Sequence, residues 1–326
     1  MRIGICGFPA SGKSTVFRAL SPGAGSSKAG VAYGNIKVPD ARVDRLAAIF
    51  SPKKTTYAEI TFMDVPGQPG RGGAAFTPDV IQAMRNADVL VHVVRAFDSP
   101  YHSDPPDPAR DGANFNDELV LADLAILEKR AERWKKESKK GGEVDVNDRC
   151  VAHLEDGRPL RTLELSDDEL ATLQGIQLLS RPPLLTVYNI GEDGWEGSPW
   201  RDREASEAEG GACLGLCGEL EAEIAEMPRE DQRDFLEGLG LGEPARNEFI
   251  RTAFAALDLI SFLTAGPDEC RAWPIRRGFI RAEVYRLEDL EAHGTEAELK
   301  KAGKMRVEGK DYVVQDGDVM HVRFNV

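Results

Sequence analysis

The chain has 326 residues, 41% hydrophobic and 29% charged, which suits a globular protein of two or three domains with a sizeable core. Its formal net charge of −14 argues against broad, sequence-independent binding to nucleic acid and leaves room only for a local basic patch. It has no run of about 18 apolar residues and opens without a signal-peptide pattern, so the expectation is a cytoplasmic protein that spans no membrane.

Arg2 to Cys6 is short, apolar and followed by Gly7, as a buried strand should be, and Ser14 to Leu20 reads as the helix after it. Glu59 to Met63, Val89 to Val94 and Leu184 to Tyr188 repeat the buried-strand pattern, so the expected class is α/β, a mostly parallel sheet with helices on both faces. Between the last two strands, Glu118 to Lys140 spaces Leu119, Ala122, Leu124, Ala125, Leu127, Ala131 and Trp134 along one helical face. A second helix is predicted from Asp167 to Leu179, entered by Ser166 with Glu169 at the capping-box position. The two read as a projecting hairpin; ordinary covering helices of the sheet are the alternative. Gly191 to Gly215 reads as a loop, and Glu219 to Met227 and Pro244 to Leu257 as helices. From about Ile260 the character changes to short strands, Phe279 to Tyr285, Tyr312 to Val314 and Val319 to Phe324, separated by turn residues. The expected domains are therefore 1–117 with 183–258, an insertion over 118–182, and a β-rich module over 259–326. The five cysteines are odd in number, and Cys213 and Cys217 lack a second pair to complete a zinc site, so they read as reduced thiols.

The segment Gly7, Phe8, Pro9, Ala10, Ser11, Gly12, Lys13, Ser14, Thr15 fits the phosphate-loop spacing, with a strand before it and a helix after it. Glycine lets successive N–H groups turn toward anionic oxygen, and the helix N-terminus adds partial positive charge. Lys13 would reach the β- and γ-phosphates, and Ser14 would offer its hydroxyl to Mg²⁺. Asp64, ending the second buried strand, would hold Mg²⁺ through water, and Gly67 would sense the γ-phosphate. Asn189, Ile190, Gly191 and Glu192 stand where GTPases carry an N-K-x-D base-recognition motif, with Ile190 in place of the lysine that packs on the base and Glu192 in place of the aspartate.

Several strings are more specific than a phosphate loop. Val38 to Asp44, His92-Val-Val-Arg95, Asn116 to Asp123, Gly278 to Glu283, Ala302 to Arg306, Glu308 to Tyr312 and Asp316 to Val326 together resemble the YchF-type Obg-like ATPases, a branch of the Obg-related GTPases, over nearly the whole chain. The resemblance implies a P-loop G domain, an inserted helical coiled-coil hairpin and a C-terminal TGS domain of β-grasp type. It implies that Asn189 and Glu192 favour ATP over GTP and that Leu216, Cys217 and Gly218 form the second base-contacting loop. It also implies association with ribosomes. Three departures stand out. Gln68 occupies the position after the D-x-x-G glycine where the family has a hydrophobic residue, and either positions water or faces solvent. Switch I, Ser26 to Tyr33, lacks the usual threonine, with Ser27 or Lys28 near its place. Trp273 to Phe279 joins motifs that the family separates by a longer stretch, which predicts a TGS domain trimmed or lacking its first hairpin. His102 falls near the family's loop histidine, where it would polarise the attacking water or simply be an exposed loop residue.

The leading expectation is Mg²⁺-dependent hydrolysis of ATP to ADP and phosphate by a ribosome-associated switch, with Lys13 neutralising developing charge and Gln68 or His102 placing water. The alternatives are a nucleotide-gated ribosome-binding protein with little hydrolysis, and a true GTPase. Lys129, Arg130, Arg133, Lys135, Lys136, Lys139 and Lys140 would contact ribosomal RNA or form a solvated helix face. The default assembly is a monomer.

Overall fold

A computed structural model describes residues 2–22, 26–28, 31–65, 76–100, 103–201, 211–238, 241–257, 259–276, 282–309 and 312–321. In chain order the elements are β1 (Arg2–Cys6), α1 (Lys13–Leu20), β2 (Ser26–Lys28), β3 (Val31–Val38), α2 (Ala41–Phe50), β4 (Lys54–Thr56), β5 (Ala58–Asp64), α3 (Pro78–Arg85), β6 (Val89–Ala96), α4 (Pro108–Lys136), α5 (Gly142–Glu155), α6 (Asp167–Thr172), β7 (Leu184–Ile190), β8 (Gly211–Leu216), α7 (Gly218–Glu226), α8 (Arg229–Gly238), α9 (Ala245–Ala256), β9 (Leu259–Thr264), β10 (Glu269–Arg276), β11 (Ala282–Arg286), α10 (Leu287–His293), α11 (Glu296–Lys301), β12 (Arg306–Glu308) and β13 (Asp318–His321). The chain divides into two units, Met1–Asn35 with Thr61–Ala256, and Ile36–Ile60 with Leu257–Val326. No described helix is long and apolar enough to cross a membrane.

The α/β class predicted from the apolar runs is what the first unit shows. Its sheet runs β2-β3-β5-β1-β6-β7-β8, and β1, β5, β6, β7 and β8 pair in parallel. Side chains alternate across these strands. Cys6, Leu90 and Leu184 lie on the face packed by Val80 and Met84 of α3 and Phe115 and Leu119 of α4. Phe62, paired in register with Ile3 on the opposite face, meets Phe249 of α9 at 5.7 Å between ring centroids. Helices therefore cover both faces, as expected.

The long α4 starts under two local signals, Asp107 accepting from the Arg110 N–H at 3.1 Å and Pro108 at the first helical position. It turns back through Ser138 and Gly141, both at positive φ, into α5. Val120 and Leu127 of α4 close a core with Val146, Cys150 and Leu154 of α5 and with Leu160, Leu173 and Leu178. The second arm of the hairpin is therefore 142–155, not 167–179. The Ser166–Glu169 capping box is present, but the helix it starts ends at Thr172. Two glycines at the start of α5 and a sparse apolar stripe hid it from the pattern. The expected loop 191–215 in fact ends in strand β8, whose Gly211 to Leu216 pairs with β7.

The second unit has a sheet in the order β12-β11-β13-β9-β10-β4. Residues 36–60, assigned from sequence to the nucleotide-binding domain, belong to this unit instead. Val43 and Leu46 of α2 join Leu263, Cys270, Ala272, Tyr285, Leu287, Leu290, Leu299 and Val319 in one core, and β4 pairs in parallel with β10. Within this unit β9 and β10 form an antiparallel hairpin, paired from Leu259↔Arg276 to Thr264↔Arg271. Tyr312 to Val314 contributes a single bridge instead of a strand, and the end of the expected strand to Phe324 lies outside the described residues.

Candidate functional site

The loop from Gly7 to Gly12 leaves β1 and closes into α1. Gly7 has φ +150°, and a Cβ there would stand 2.5 Å from the Val93 carbonyl oxygen; Gly12 has φ +84°. Only glycine meets both conditions. Gly12 is also the helix cap and has no side chain to accept from the first turn; its carbonyl takes the Thr15 and Val16 N–H groups, which leaves those of Lys13 and Ser14 to face an anion. The Lys13 ammonium folds back over the loop and donates to the Phe8 carbonyl at 2.9 Å, with the residue only 8% exposed. Burial lowers the Lys13 pKa, and Asp64 and then Cys6 oppose that shift.

Ser14, the next residue, donates from Oγ to Oδ2 of Asp64 at 3.0 Å, across 50 positions of sequence. Burial raises the Asp64 pKa against the opposing effects of the Ser14 hydrogen bond and the Lys13 charge. A carboxylate held uphill in this way, beside a hydroxyl oxygen, is a donor set that fits a hard divalent cation. Gly67 and Gln68 lie outside the described residues, and so does His102.

Asn189 is the penultimate residue of β7 and is 5% exposed. Its Nδ2 donates to the Ser11 carbonyl at 3.1 Å, and its Oδ1 accepts from the Gly218 N–H at 2.9 Å. The side chain thus ties the phosphate loop to the β8–α7 junction, with both ends of the amide committed. Glu192 opens a short turn beyond it and is exposed. Ile190, at the position where GTPases carry the base-packing lysine, is 2% exposed and packed with Val94 and Tyr188, because it continues β7 on a buried face. The Leu216 and Cys217 side chains are buried too, so any contact they make with a ligand is through main chain. Gly218 is required: a Cβ there would sit 2.8 Å from Asn189 Oδ1. All five cysteines are free.

Three residues near the site were not singled out for it by sequence. Phe97 lies at the loop, with Cε1 3.7 Å from where a Gly12 Cβ would be and Cβ 3.1 Å from that of Gly191. Arg95, buried at the end of β6, donates to the carbonyls of Phe97, Asp104 and Pro105. His92 is stacked on Phe115 at 3.8 Å, with Phe8 edge-on at 6.1 Å. Its pKa is pushed down to about 3 by burial and by the Lys13 charge. The Nε2 of His92 and the Oγ of Ser11 have no hydrogen-bond partner among the described residues, and both line a cavity of about 250 Å³ beside Phe8 and Pro9. A readable signal existed: Arg95 and His92 are polar residues in a strand that is otherwise wholly apolar.

Comparison with known proteins identifies the family. Residues 2–121 match the family model described as a 50S ribosome-binding GTPase, and 275–325 match YchF-GTPase_C, described as a protein of unknown function. The ribosome-binding ATPase YchF of Pasteurella multocida is 36% identical over 361 aligned positions, covering 100% of this chain and 99% of that protein. That of Bacillus subtilis is 35% identical, covering 99% of each. The structure of the Schizosaccharomyces pombe YchF GTPase superposes with a TM-score of 0.83 at 25% identity, over 98% of this chain and 97% of that one. With a phosphate loop of this geometry and full-length similarity of this extent, the chain belongs to the YchF family of P-loop nucleotide-binding proteins.

Proposed function

We propose that the chain is a Mg²⁺-dependent nucleoside triphosphatase that prefers ATP and acts as a ribosome-associated switch. The observation that carries the reading is the union of three segments at one place. Lys13 and the open first turn of α1 can hold phosphate, Ser14 and Asp64 stand together as cation ligands, and Asn189 ties the phosphate loop to Gly218. With the Asn189 amide committed on both sides, Glu192 is the polar group of that motif left to read a base. Mg²⁺ held by Ser14 and, through water, by Asp64 would neutralise phosphate charge. Lys13 would exchange the Phe8 carbonyl for phosphate oxygen, and Gln68 or His102 would orient water. Relatives named ribosome-binding ATPases support the ribosome as partner, in the cytoplasm, with the basic residues of α4 as the matching surface. On this reading α4 and α5 are the family's inserted hairpin, and 259–326 is its TGS-like module. The shortening that the resemblance implies for this module would fall between β10, which ends at Arg276, and β11, which starts at Ala282.

Glu192 also keeps the GTP reading in play, since a free carboxylate can accept from guanine N–H groups. Calorimetric titration of nucleotide-free protein with ATP and with GTP, in Mg²⁺, decides between them. The expected result is tighter binding of ATP, abolished in Lys13→Ala and losing its Mg²⁺ dependence in Ser14→Ala. Tighter GTP binding would make it a GTPase, and binding of neither would remove the enzyme reading. Turnover with and without ribosomes then tests the switch.

A further inference from the structure

Arg95 has no role in the reading above, yet its placement is costly. It is the penultimate residue of a strand whose preceding residues, Val89 to Val94, are all buried, and it is itself 4% exposed. A buried cation is tolerated only when it is paired or well hydrogen-bonded. The bonds Arg95 makes among the described residues go to main-chain carbonyls, not to carboxylates. Nη1 donates to Phe97 O at 3.2 Å, and Nη2 donates to Asp104 O at 3.1 Å and Pro105 O at 3.3 Å. The planar guanidinium reaches carbonyls in divergent directions at once, which a lysine ammonium on a flexible stem does not.

The segments it joins are informative. Phe97 lies against Gly12 of the phosphate loop and Gly191 of the base motif. Asp104 and Pro105 come just before Asp107, the cap of α4. One side chain therefore fastens the flank of the nucleotide site and the root of the long helix to the same strand end.

We propose that Arg95 is a positioning residue for nucleotide binding: its guanidinium clamps the Phe97 turn and the root of α4 to the end of β6, holding the flank of the phosphate loop in its binding shape. This rests on the nucleotide-binding reading of the site. Preorganisation of this kind acts on affinity, because a loop already in place costs no ordering on binding. Arg95 touches no reacting atom, so chemistry at saturation should be spared.

The test uses the full chain with Arg95→Lys and Arg95→Met, read by calorimetry with Mg²⁺·ATP and Mg²⁺·ADP, by steady-state kinetics and by thermal melting. Arg95→Lys keeps the buried charge but satisfies fewer of the carbonyls. It should weaken both nucleotides roughly tenfold and raise KM to match, with kcat within about twofold of wild type. Arg95→Met should weaken them further; if it does not fold, the lysine variant alone carries the test. Unchanged affinity and KM in a folded Arg95→Lys protein would overturn the clamp. So would a loss confined to melting temperature and kcat with KM unmoved, which is the mark of a merely structural residue. If wild type itself binds no nucleotide, the nucleotide reading fails, and the clamp falls with it.

Discussion

Lys13 is bonded to the carbonyl of its own loop, and Ser14 to Asp64, so these two side chains are satisfied within the site by groups they could exchange for phosphate and a cation. These residues were legible in sequence because the spacing of a phosphate loop is dictated by backbone geometry. The inward orientation of Ile190 was not legible, because a motif position does not say which way a strand residue faces. His92 gives a prediction at this scale. Its pKa is about 3 in the fold, held down first by burial and then by Lys13, against about 6.5 in an unfolded chain. The unfolded state therefore binds the proton first as pH falls. His92 costs nothing above pH 6.5, and below it stability drops by up to about 1.4 kcal/mol per pH unit until pH nears 3. His92→Phe keeps the stack on Phe115 and removes the proton. Urea unfolding from pH 7 to 4 should show a shallower loss in the variant, and parallel curves would mean His92 is protonated in the fold. Buried carboxylates such as Asp64 and Asp123, whose pKa values are raised, contribute the opposite slope, but equally in both proteins.

At the level of elements, the strands of the parallel sheet were readable to within a residue or two because they are continuous apolar runs. Helix α5 and strand β8 were not, since one carries few apolar residues and the other is Gly-rich on the sheet edge. Beside the apolar contacts of Phe115 and Leu119, one polar anchor of α4 was also hidden, being a lone acidic residue on a helix face. Asp123 on α4 is fully buried and accepts from the N–H groups of Leu179 and Ser180 at 2.8 and 2.7 Å and from the Ser180 hydroxyl at 2.7 Å. Ser180 in turn accepts from the Leu160 N–H at 3.2 Å. One carboxylate thus organises the chain returning from the insertion to β7. Asp123→Ala would leave three buried donors without their acceptor and should cost about 3 kcal/mol, measured by denaturant midpoint. Leu121→Ala on the same helix, at a residue 58% exposed, should change stability by less than about 0.5 kcal/mol. Equal, small effects would show that α4 is held by its apolar face alone.

For the whole molecule, the division into units could not be read along the chain, because the second unit takes residues 36–60 from inside the first. No composition shift marks that crossing; it is a matter of which core Val43 and Leu46 enter, and they enter the one around Tyr285. Each unit has its own core, and the tryptophans divide between them: Trp134, Trp195 and Trp200 in the first, Trp273 in the second. The proposed nucleotide site lies wholly in the first unit. A ligand that binds only the native state stabilises it by about 2.7 kcal/mol at a hundred times its dissociation constant. For a unit of this size that corresponds to a rise of about 5–10 °C in melting temperature. With Trp134, Trp195 and Trp200 changed to Phe, fluorescence of Trp273 reports the second unit, and Trp273→Phe leaves the reporters of the first. Mg²⁺·ATP should raise the transition of the first unit by that amount and leave it unmoved in Lys13→Ala. A Trp273 transition that rises in step would mean the units unfold as one. No shift in either transition at saturating nucleotide would count against the site itself.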